Sequence, residues 1–239
     1  MKILMTGGSG LLGREILKLD PAIIAPAHSE LDITDFDSIL SALEKYSPNV
    51  VLHLAAYNKP PEHEKNPEPG IKVNIIGTAN LALACFKVGV KLAHASTDFV
   101  YGSGSGPHKE EEPLLAPSRF GWSKIGAEAA VRMLHDYLIL RLDFGPVPFP
   151  WPKVYKDHHI SKLYVDEIAP LVLAAAKSKA TEIMNIGGPR TTLEDYARRT
   201  RPDIETISKP DWVPADSSLD ITKMKRELGI EDEHKLIKH

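Results

Sequence analysis

The sequence predicts an α/β protein built on a doubly wound parallel sheet. Three observations predict this fold. Apolar runs alternate with helical patterns through the first two-thirds of the chain, a glycine-rich turn joins the first run to the first helix, and 239 residues suffice for one large domain with a small lobe. This alternation is typical of parallel strands, because each of them must be reached through a crossover connection.

The elements follow one another at the spacing of βαβ units. A strand over 2–6 leads into a helix over 11–19, and a short strand is expected over 23–26. Further strands are predicted over 50–55, 91–96, 137–141 and 183–186. Further helices are predicted over 35–46, 71–88, 120–134, 166–177, 193–199 and 220–228. The proline-rich segments 57–70 and 144–153 are expected to be a linker and an irregular stretch.

Charge and composition argue against several classes of protein. The chain carries 29 basic and 32 acidic residues, a net charge of −3, spread along its length, so we expect no nucleic-acid partner. The longest apolar stretch, 168–176, is too short to span a bilayer, and no targeting segment is evident, so we expect no membrane partner. The single cysteine, Cys85, favours a reducing compartment, and we predict a cytoplasmic protein.

The glycine-rich turn predicts a dinucleotide site. The first strand runs directly into the segment GGSGLLG. Gly7 and Gly10 come before the predicted helix, which begins at Leu11 and Leu12, and Gly13 lies in its first turn. Residues without a Cβ permit a sharp turn and let the backbone approach a pyrophosphate, which the helix N-terminus then faces. Strand, turn and helix come in the order that this function requires.

The end of the second strand bears on which dinucleotide binds. Residues 27–29 contain no acidic side chain, although NAD usually needs one there to hold the ribose 2′-hydroxyl. Arg14, beside the last glycine, suits the 2′-phosphate of NADP, although it also fits a solvated helix position. We therefore predict NADP, while Glu30 and Asp32 keep NAD open.

Eight motifs spread over nearly the whole chain resemble one known family. They are TGGSGLLG from Thr6, LDITD from Leu31, HLAAY from His53, VNIIGTANL from Val73, HASTDFVYG from His94, GWSKIGAE from Gly121, YVDEIA from Tyr164 and SLDITKMKRELGI from Ser218. With them the sequence resembles the extended short-chain dehydrogenase/reductase family, and most closely its dTDP-4-dehydrorhamnose reductase branch. The resemblance implies a Rossmann sheet with a small C-terminal substrate lobe, a nicotinamide cofactor and a sugar-nucleotide substrate.

The resemblance also assigns cofactor contacts. It gives the three glycines of the turn to the pyrophosphate, and Asp32 with Ile33 to the adenine side. Ala55 and Ala56 would border the nicotinamide half.

The catalytic positions of the family are only partly retained. The resemblance implies that Thr97 hydrogen-bonds the substrate carbonyl and that Lys124 holds the nicotinamide ribose. The family motif Tyr-x-x-x-Lys has Phe120 at its tyrosine, and the loss of a positioned general acid costs on the order of 10² to 10⁴ in rate.

Substitute acids are conceivable. They are Tyr101, Tyr57, Asp98 and a water held by Thr97. Each also has a structural interpretation: the two tyrosines would pack at strand ends, and Asp98 would cap the turn after its strand.

The substrate lobe is expected to be truncated. Only residues 146–161 separate the end of the Arg-x-x-x-Gly strand from Lys162, where the family generally has a longer insertion with a helix. We predict a Rossmann domain over 1–145 and 162–186, with the small lobe over 146–161 and 187–239. The aromatic and proline side chains of the first lobe segment would form either a ligand wall or a strap packed over the sheet.

Three functional hypotheses follow. The first is an NADP-dependent sugar-nucleotide oxidoreductase, weakened by Phe120 or using another acid. The second is a catalytically inactive NADP-binding regulatory subunit, because the chain also resembles the methionine adenosyltransferase regulatory β subunit. The third is that Phe120 is an engineered residue that traps a substrate complex. No metal site is expected from the histidine spacing, and the resemblance of helices 71–88 and 120–134 to the family's dimerisation pair implies a homodimer.

Overall fold

The structure, a computed structural model, describes residues 1–102, 105–210, 213 and 215–239. Its strands are β1 (Ile3–Thr6), β2 (Val50–His53), β3 (Lys91–Thr97), β4 (Tyr137–Leu142), β5 (Phe144–Gly145), β6 (Lys153–Tyr155), β7 (His159–Ile160), β8 (Leu163–Tyr164), β9 (Glu182–Ile186), β10 (Thr191–Thr192) and β11 (Glu205–Ile207). Its α-helices are α1 (Leu11–Leu19), α2 (Phe36–Tyr46), α3 (Pro60–Lys65), α4 (Glu68–Gly70), α5 (Thr78–Val88), α6 (Arg119–Val131), α7 (Val165–Lys177), α8 (Leu193–Arg198) and α9 (Thr222–Leu228).

Within the described residues, the central sheet has the order β1-β2-β3-β4-β9, and all its neighbouring strands are parallel. Successive side chains of a strand point to opposite faces, so each face has its own apolar core. Helices α1, α7 and α9 cover one face, and α2, α5 and α6 cover the other. The predicted doubly wound parallel fold is confirmed.

The strand predicted over 23–26 is wrong. Only Ile24 bridges β1 at the outer edge of the sheet, through hydrogen bonds of 3.0 Å from its N–H to Ile3 O and 2.7 Å from Met5 N–H to its carbonyl. Pro26 has no N–H to continue such a ladder. The chain reverses direction across the sheet between this bridge and β2, and such switch points are where α/β sheets bind ligands.

The linker predicted over 57–70 is also wrong in part, because it contains α3 and α4. Their prolines stand at the first helical positions, where the missing N–H has no partner to lose. Helix α4 continues through a π-helical segment, Ile71–Gly77, into α5. The continuous helix Glu68–Val88 is long and apolar enough to cross a membrane by length and composition, a test that core helices of soluble proteins also pass.

A small lobe is built from β6, β7, β10, β11 and α8. It has an apolar cluster of its own that includes Phe149, Ile160 and Tyr196. The segment predicted as irregular, 144–153, holds the short strand β5 and the first residue of β6. Helix α9 packs back against α7 and β9, and Met224 lies in the core of the large sheet. The domain boundaries stated from the sequence stay a prediction.

Candidate functional site

The turn between β1 and α1 is shaped by the absence of side chains. Gly7 has a φ of +75°, and a Cβ on it would lie 2.6 Å from the Ala55 nitrogen. A Cβ on Gly13 would clash with the Gly7 carbonyl oxygen and lie 2.7 Å from Gly8 Cα. Strand, turn and helix therefore approach more closely than any residue with a side chain permits. Gly10 is the N-cap of α1, whose N-terminal N–H groups are the natural partners of an anion.

A cavity of about 600 Å³ opens beside this turn. Its lining includes predicted cofactor residues, namely Gly7, Gly10, Asp32, Ile33, Ala55 and Ala56. The Leu12 side chain instead lies in the core beneath the turn, and Leu11 is partly exposed on its outer side. A closely packed glycine cradle with a cavity beside a helix N-terminus fits the diphosphate and adenosine of a dinucleotide.

Polar groups at the far end of the cavity surround Asp32. Its carboxylate accepts hydrogen bonds of 2.8 Å from both the N–H and the hydroxyl of Thr34, and the backbone hydrogen bond lowers its pKa. His28, which the sequence analysis assigned no role, lines the cavity with its Nε2 3.7 Å from Asp32 Oδ2. Arg14 is exposed and donates to the Ser9 carbonyl at 2.5 Å. His28 thus lies beside Asp32 in the cavity, and Arg14 lies against the main chain of the glycine turn.

Thr97 and Lys124 lie around the end of β3. The Thr97 hydroxyl oxygen accepts the Phe99 N–H at 3.3 Å and donates to Asp98 Oδ1 at 3.0 Å. Thr97 therefore caps the turn Asp98–Val100, and the expectation that Asp98 is the cap is wrong. Lys124 is buried on α6, donates to the Ala95 carbonyl at 2.7 Å, and burial lowers its pKa to about 8.

Phe120 lies among aromatic rings. It is 6% exposed, with its ring centroid 5.4 Å from that of His63 and 6.1 Å from that of Phe99, both edge to face. Asn74, in the π-helical segment, donates to Ser123 Oγ at 2.8 Å, and Ser123 donates to the Phe120 carbonyl at 2.7 Å. The sequence analysis missed His63 and Asn74. Single π-turns inside helices often occur at functional sites, but they leave no pattern in a sequence.

The two tyrosines considered as substitute acids have both committed their protons. Tyr101 donates to Asn185 Oδ1 at 2.8 Å and accepts from Arg141 at 2.7 Å, and burial raises its pKa to about 12. Tyr57 donates to Glu62 at 2.5 Å, and this hydrogen bond raises its pKa. The structural interpretation of both side chains fits these contacts better than an acid role.

Two carboxylates meet at the carboxyl ends of β3 and β4. Thr97 pairs with Leu142 in the sheet register, so the residues that follow them, Asp98 and Asp143, are neighbours. Asp143 is 1% exposed and forms an ion pair with Lys162. Burial and the Asp143 charge raise the pKa of Asp98 to about 7. Acidic residues after two adjacent parallel strands are a signal that the sequence analysis could have used.

Comparison with known proteins gives a consistent family. The family model described as RmlD substrate binding domain matches residues 1–144. A dTDP-4-dehydrorhamnose reductase of Streptomyces griseus is 39% identical over 133 residues, which cover 54% of this chain and 44% of that protein. Another, from Aggregatibacter actinomycetemcomitans, is 28% identical over an alignment 276 positions long with gaps included, which covers 96% of this chain and 94% of that protein. Methionine adenosyltransferase 2 subunit beta of Xenopus tropicalis is 28% identical over 56% of this chain and 43% of that protein. The chain thus spans less than half the length of the first and third of these relatives.

Solved structures share the fold. A dTDP-4-dehydrorhamnose reductase from Clostridium acetobutylicum has a TM-score of 0.84 at 24% identity, covering 99% of this chain and 96% of that one. The dTDP-4-dehydrorhamnose reductase of Bacillus anthracis, solved in complex with NADP, has a TM-score of 0.82 at 21% identity, covering 95% and 92%. At these identities the likeness concerns the fold alone.

Proposed function

Because the chain belongs to the RmlD substrate binding domain family, we propose that it is an NADP-dependent oxidoreductase that reduces a carbonyl group of a sugar nucleotide. The observation that carries this proposal is the glycine cradle, in which Gly7 and Gly13 leave no room for a Cβ beside a cavity of about 600 Å³. Two relatives that align with this chain are named dTDP-4-dehydrorhamnose reductase.

Residues along the cleft would bind different parts of the coenzyme and the substrate. The main chain of the glycine turn and the N-terminus of α1 would hold the diphosphate, and Ile33 would border the adenine. Ala55 and Ala56 leave room for the nicotinamide half, which supplies a hydride when the reduced coenzyme is bound. The Thr97 hydroxyl donates to Asp98 in the structure and would turn this proton to the carbonyl of the substrate, and Lys124 would hold the ribose next to it.

NADP is the proposed coenzyme, with NAD as the less favoured one. His28, beside Asp32, and Arg14, beside Ser9 of the glycine turn, would attract a 2′-phosphate. Both oxygens of Asp32 already have neighbours, Thr34 on one and His28 on the other, so this carboxylate is less free to accept a ribose hydroxyl.

The test is the oxidation of NADPH by the purified protein in the presence of several dTDP-4-keto-sugars. We expect turnover above the rate without protein, and a higher rate with NADPH than with NADH. The absence of turnover with all of these sugars would contradict the proposal.

A second candidate function is favoured by one observation, the phenyl ring of Phe120 where a reductase of this family has a phenol. A coenzyme-binding regulatory subunit needs the glycine cradle but not the acid, and one relative is named as subunit beta of methionine adenosyltransferase 2. Tight NADP binding without turnover, together with copurification of an enzyme whose rate changes on addition of this protein, would favour it.

We also propose that the protein forms a homodimer through the helices Glu68–Val88 and α6, which pack side by side. Large apolar side chains are exposed on or next to them, Phe86 to 60%. The others are Ile71, Ile76, Leu83, Val88, Trp122 and Met133. An exposed apolar surface of this kind is typical of a protein interface.

The oligomeric state tests this interface. In sedimentation velocity we expect a dimer for the wild type and a monomer for Phe86→Glu, because the new charge would be buried without a partner. Leu19→Glu, at a similarly exposed apolar residue of α1, is the control and should stay dimeric. A wild type that is monomeric at micromolar concentration would contradict the proposal, as would association with lipid vesicles in place of dimerisation.

A further inference from the structure

We propose that Asp98 donates the proton to the carbonyl oxygen of the substrate, in place of the phenol that Phe120 lacks. This inference rests on the proposed reductase function. It concerns a side chain that adjoins Thr97 in the chain and lies at the edge of the sheet where parallel α/β proteins bind their ligands.

The Asp98 carboxyl lies next to the hydroxyl of Thr97. Asp98 Oδ1 lies 3.0 Å from the Thr97 hydroxyl, which is the group proposed to bind the substrate carbonyl. A carbonyl oxygen within hydrogen-bond reach of Thr97 is therefore close to the Asp98 carboxyl as well. Asp98 is a half-buried residue, whereas Asp143 beside it is 1% exposed, so Asp98 is the more accessible of the two acids to a substrate.

The charges around Asp98 favour a protonated carboxyl. Two carboxyls, Asp98 and Asp143, meet at this edge of the sheet, and the ammonium of Lys162 pairs with Asp143. One oxygen of Asp143 is buried without a hydrogen-bond partner among the described residues. Two carboxylates that share one cation favour a state in which one of them keeps its proton.

The titratable groups around Asp98 also favour its protonated form. Asp143 at the end of β4 and Lys162 before β8 are the charged groups that act on Asp98, and His158 lies close enough to respond to both of them. Burial and Asp143 raise the pKa of Asp98 to about 7, and Lys162 opposes them only in part. Near neutral pH a large fraction of Asp98 carries the proton that the reaction needs.

The proposed step balances as a carbonyl reduction. The reduced coenzyme, when bound, would supply a hydride to the carbonyl carbon and would itself be oxidised, while the carbonyl would become an alcohol. The new O–H bond forms as the O–H bond of Asp98 breaks, and the electron pair of that bond stays on the carboxylate. Lys162 offsets the charge left behind, and water returns the proton to Asp98.

The kinetic experiment compares Asp98→Asn, which preserves shape but has no acidic proton, with Asp98→Glu and with Asp203→Asn. The last is the control, since Asp203 is an exposed residue remote in sequence from the cleft. We expect Asp98→Asn to lower kcat for dTDP-4-keto-sugar reduction by at least about 100-fold with unchanged affinity for NADPH. Asp98→Glu should recover part of the rate, and Asp203→Asn should match the wild type.

A second experiment needs neither coenzyme nor substrate. Carbon-13 NMR of the aspartate carboxyls in the wild type, assigned with Asp98→Asn, follows the titration of Asp98 directly. We expect a midpoint near pH 7. In Asp143→Asn it should fall by at least about one pH unit, because the like charge is gone and Lys162 is left to Asp98. The decline of kcat at high pH should move to lower pH in the same variant.

The outcomes separate this inference from the function on which it rests. If the wild type reduces no keto-sugar, both are overturned. If the wild type turns over and Asp98→Asn stays within about threefold of it, Asp98 is not the proton donor and the reductase function stands. A midpoint near pH 4 for Asp98 would also overturn the inference.

Discussion

The two ends of the cleft are built from different parts of the chain. The coenzyme cradle, residues 6–13 with 54–56, is formed by main chain, which at Gly7 and Gly13 packs too closely for a Cβ. The proposed carbonyl corner consists of side chains on the ends of β3 and β4 and on the elements beside them, namely Thr97, Asp98, Phe120, Asp143 and Lys162. A cradle of backbone admits little change in sequence. A corner of side chains can exchange one acid for another while its backbone stays in place.

The largest effect is expected in the cradle, from Gly7→Ala. The added methyl would meet the Ala55 nitrogen at 2.6 Å, at a backbone φ of +75° that is itself unfavourable for alanine by about 1–2 kcal/mol. We expect NADPH affinity, measured by calorimetry, to fall by at least about 100-fold, because the turn can no longer approach a pyrophosphate.

Gly89→Ala is the matched control. It has a similar φ of +68°, but a Cβ there meets no atom of the described residues within 4 Å. It should lose only about 1 kcal/mol of stability and no affinity. Equal NADPH affinity in Gly7→Ala and Gly89→Ala would show that the cradle does not hold the coenzyme.

The next effect tests the exchange of acids in the corner. Phe120 and Lys124 are four residues apart on α6 and share one face, so Phe120→Tyr restores a phenol at the usual family position. We expect a rise in kcat of less than about tenfold in the wild type and of at least about tenfold in Asp98→Asn, where the phenol replaces the missing acid. Equal gains in both backgrounds would mean that Asp98 does not donate the proton.

The contrast between main chain and side chains also explains how well the sequence predicts the two ends of the cleft. The glycine turn of the cradle and α1 are formed by residues that are neighbours in sequence. The helix occupies 11–19 as predicted, because glycines at this spacing after an apolar strand are compatible with few other local structures. The corner depends on the register between β3 and β4 and on Lys162, which is distant in sequence, so spacing alone could not bring Asp143 and Lys162 together.

Local misassignments have local causes. The prolines of helix α3 predict a linker in the sequence, but they stand in the first turn of the helix, where proline is tolerated. The strand expected over 23–26 fails at Pro26, which cannot donate to a ladder.

The smallest effect is expected on the pH dependence of stability, from the buried Lys124. Burial lowers the pKa of Lys124 to about 8 from 10.5, so between these pH values the unfolded chain binds a proton that the folded chain has lost. Stability should therefore rise with pH over this interval, by on the order of 1 kcal/mol, relative to Lys124→Met. Chemical denaturation of both proteins at pH 8 and pH 10 measures the difference. An equal pH dependence of the two would contradict the burial of an ionisable ammonium at this position.

The transfer of hydrogen from coenzyme to sugar tests the central claim most directly. The wild-type protein would be incubated with a dTDP-4-keto-sugar and NADPH that carries deuterium at its transferable position, and the sugar product would be analysed by mass spectrometry. We expect a reduced sugar that holds one deuterium on the former carbonyl carbon. A sugar that is recovered unreduced, or reduced without the label, would contradict the account.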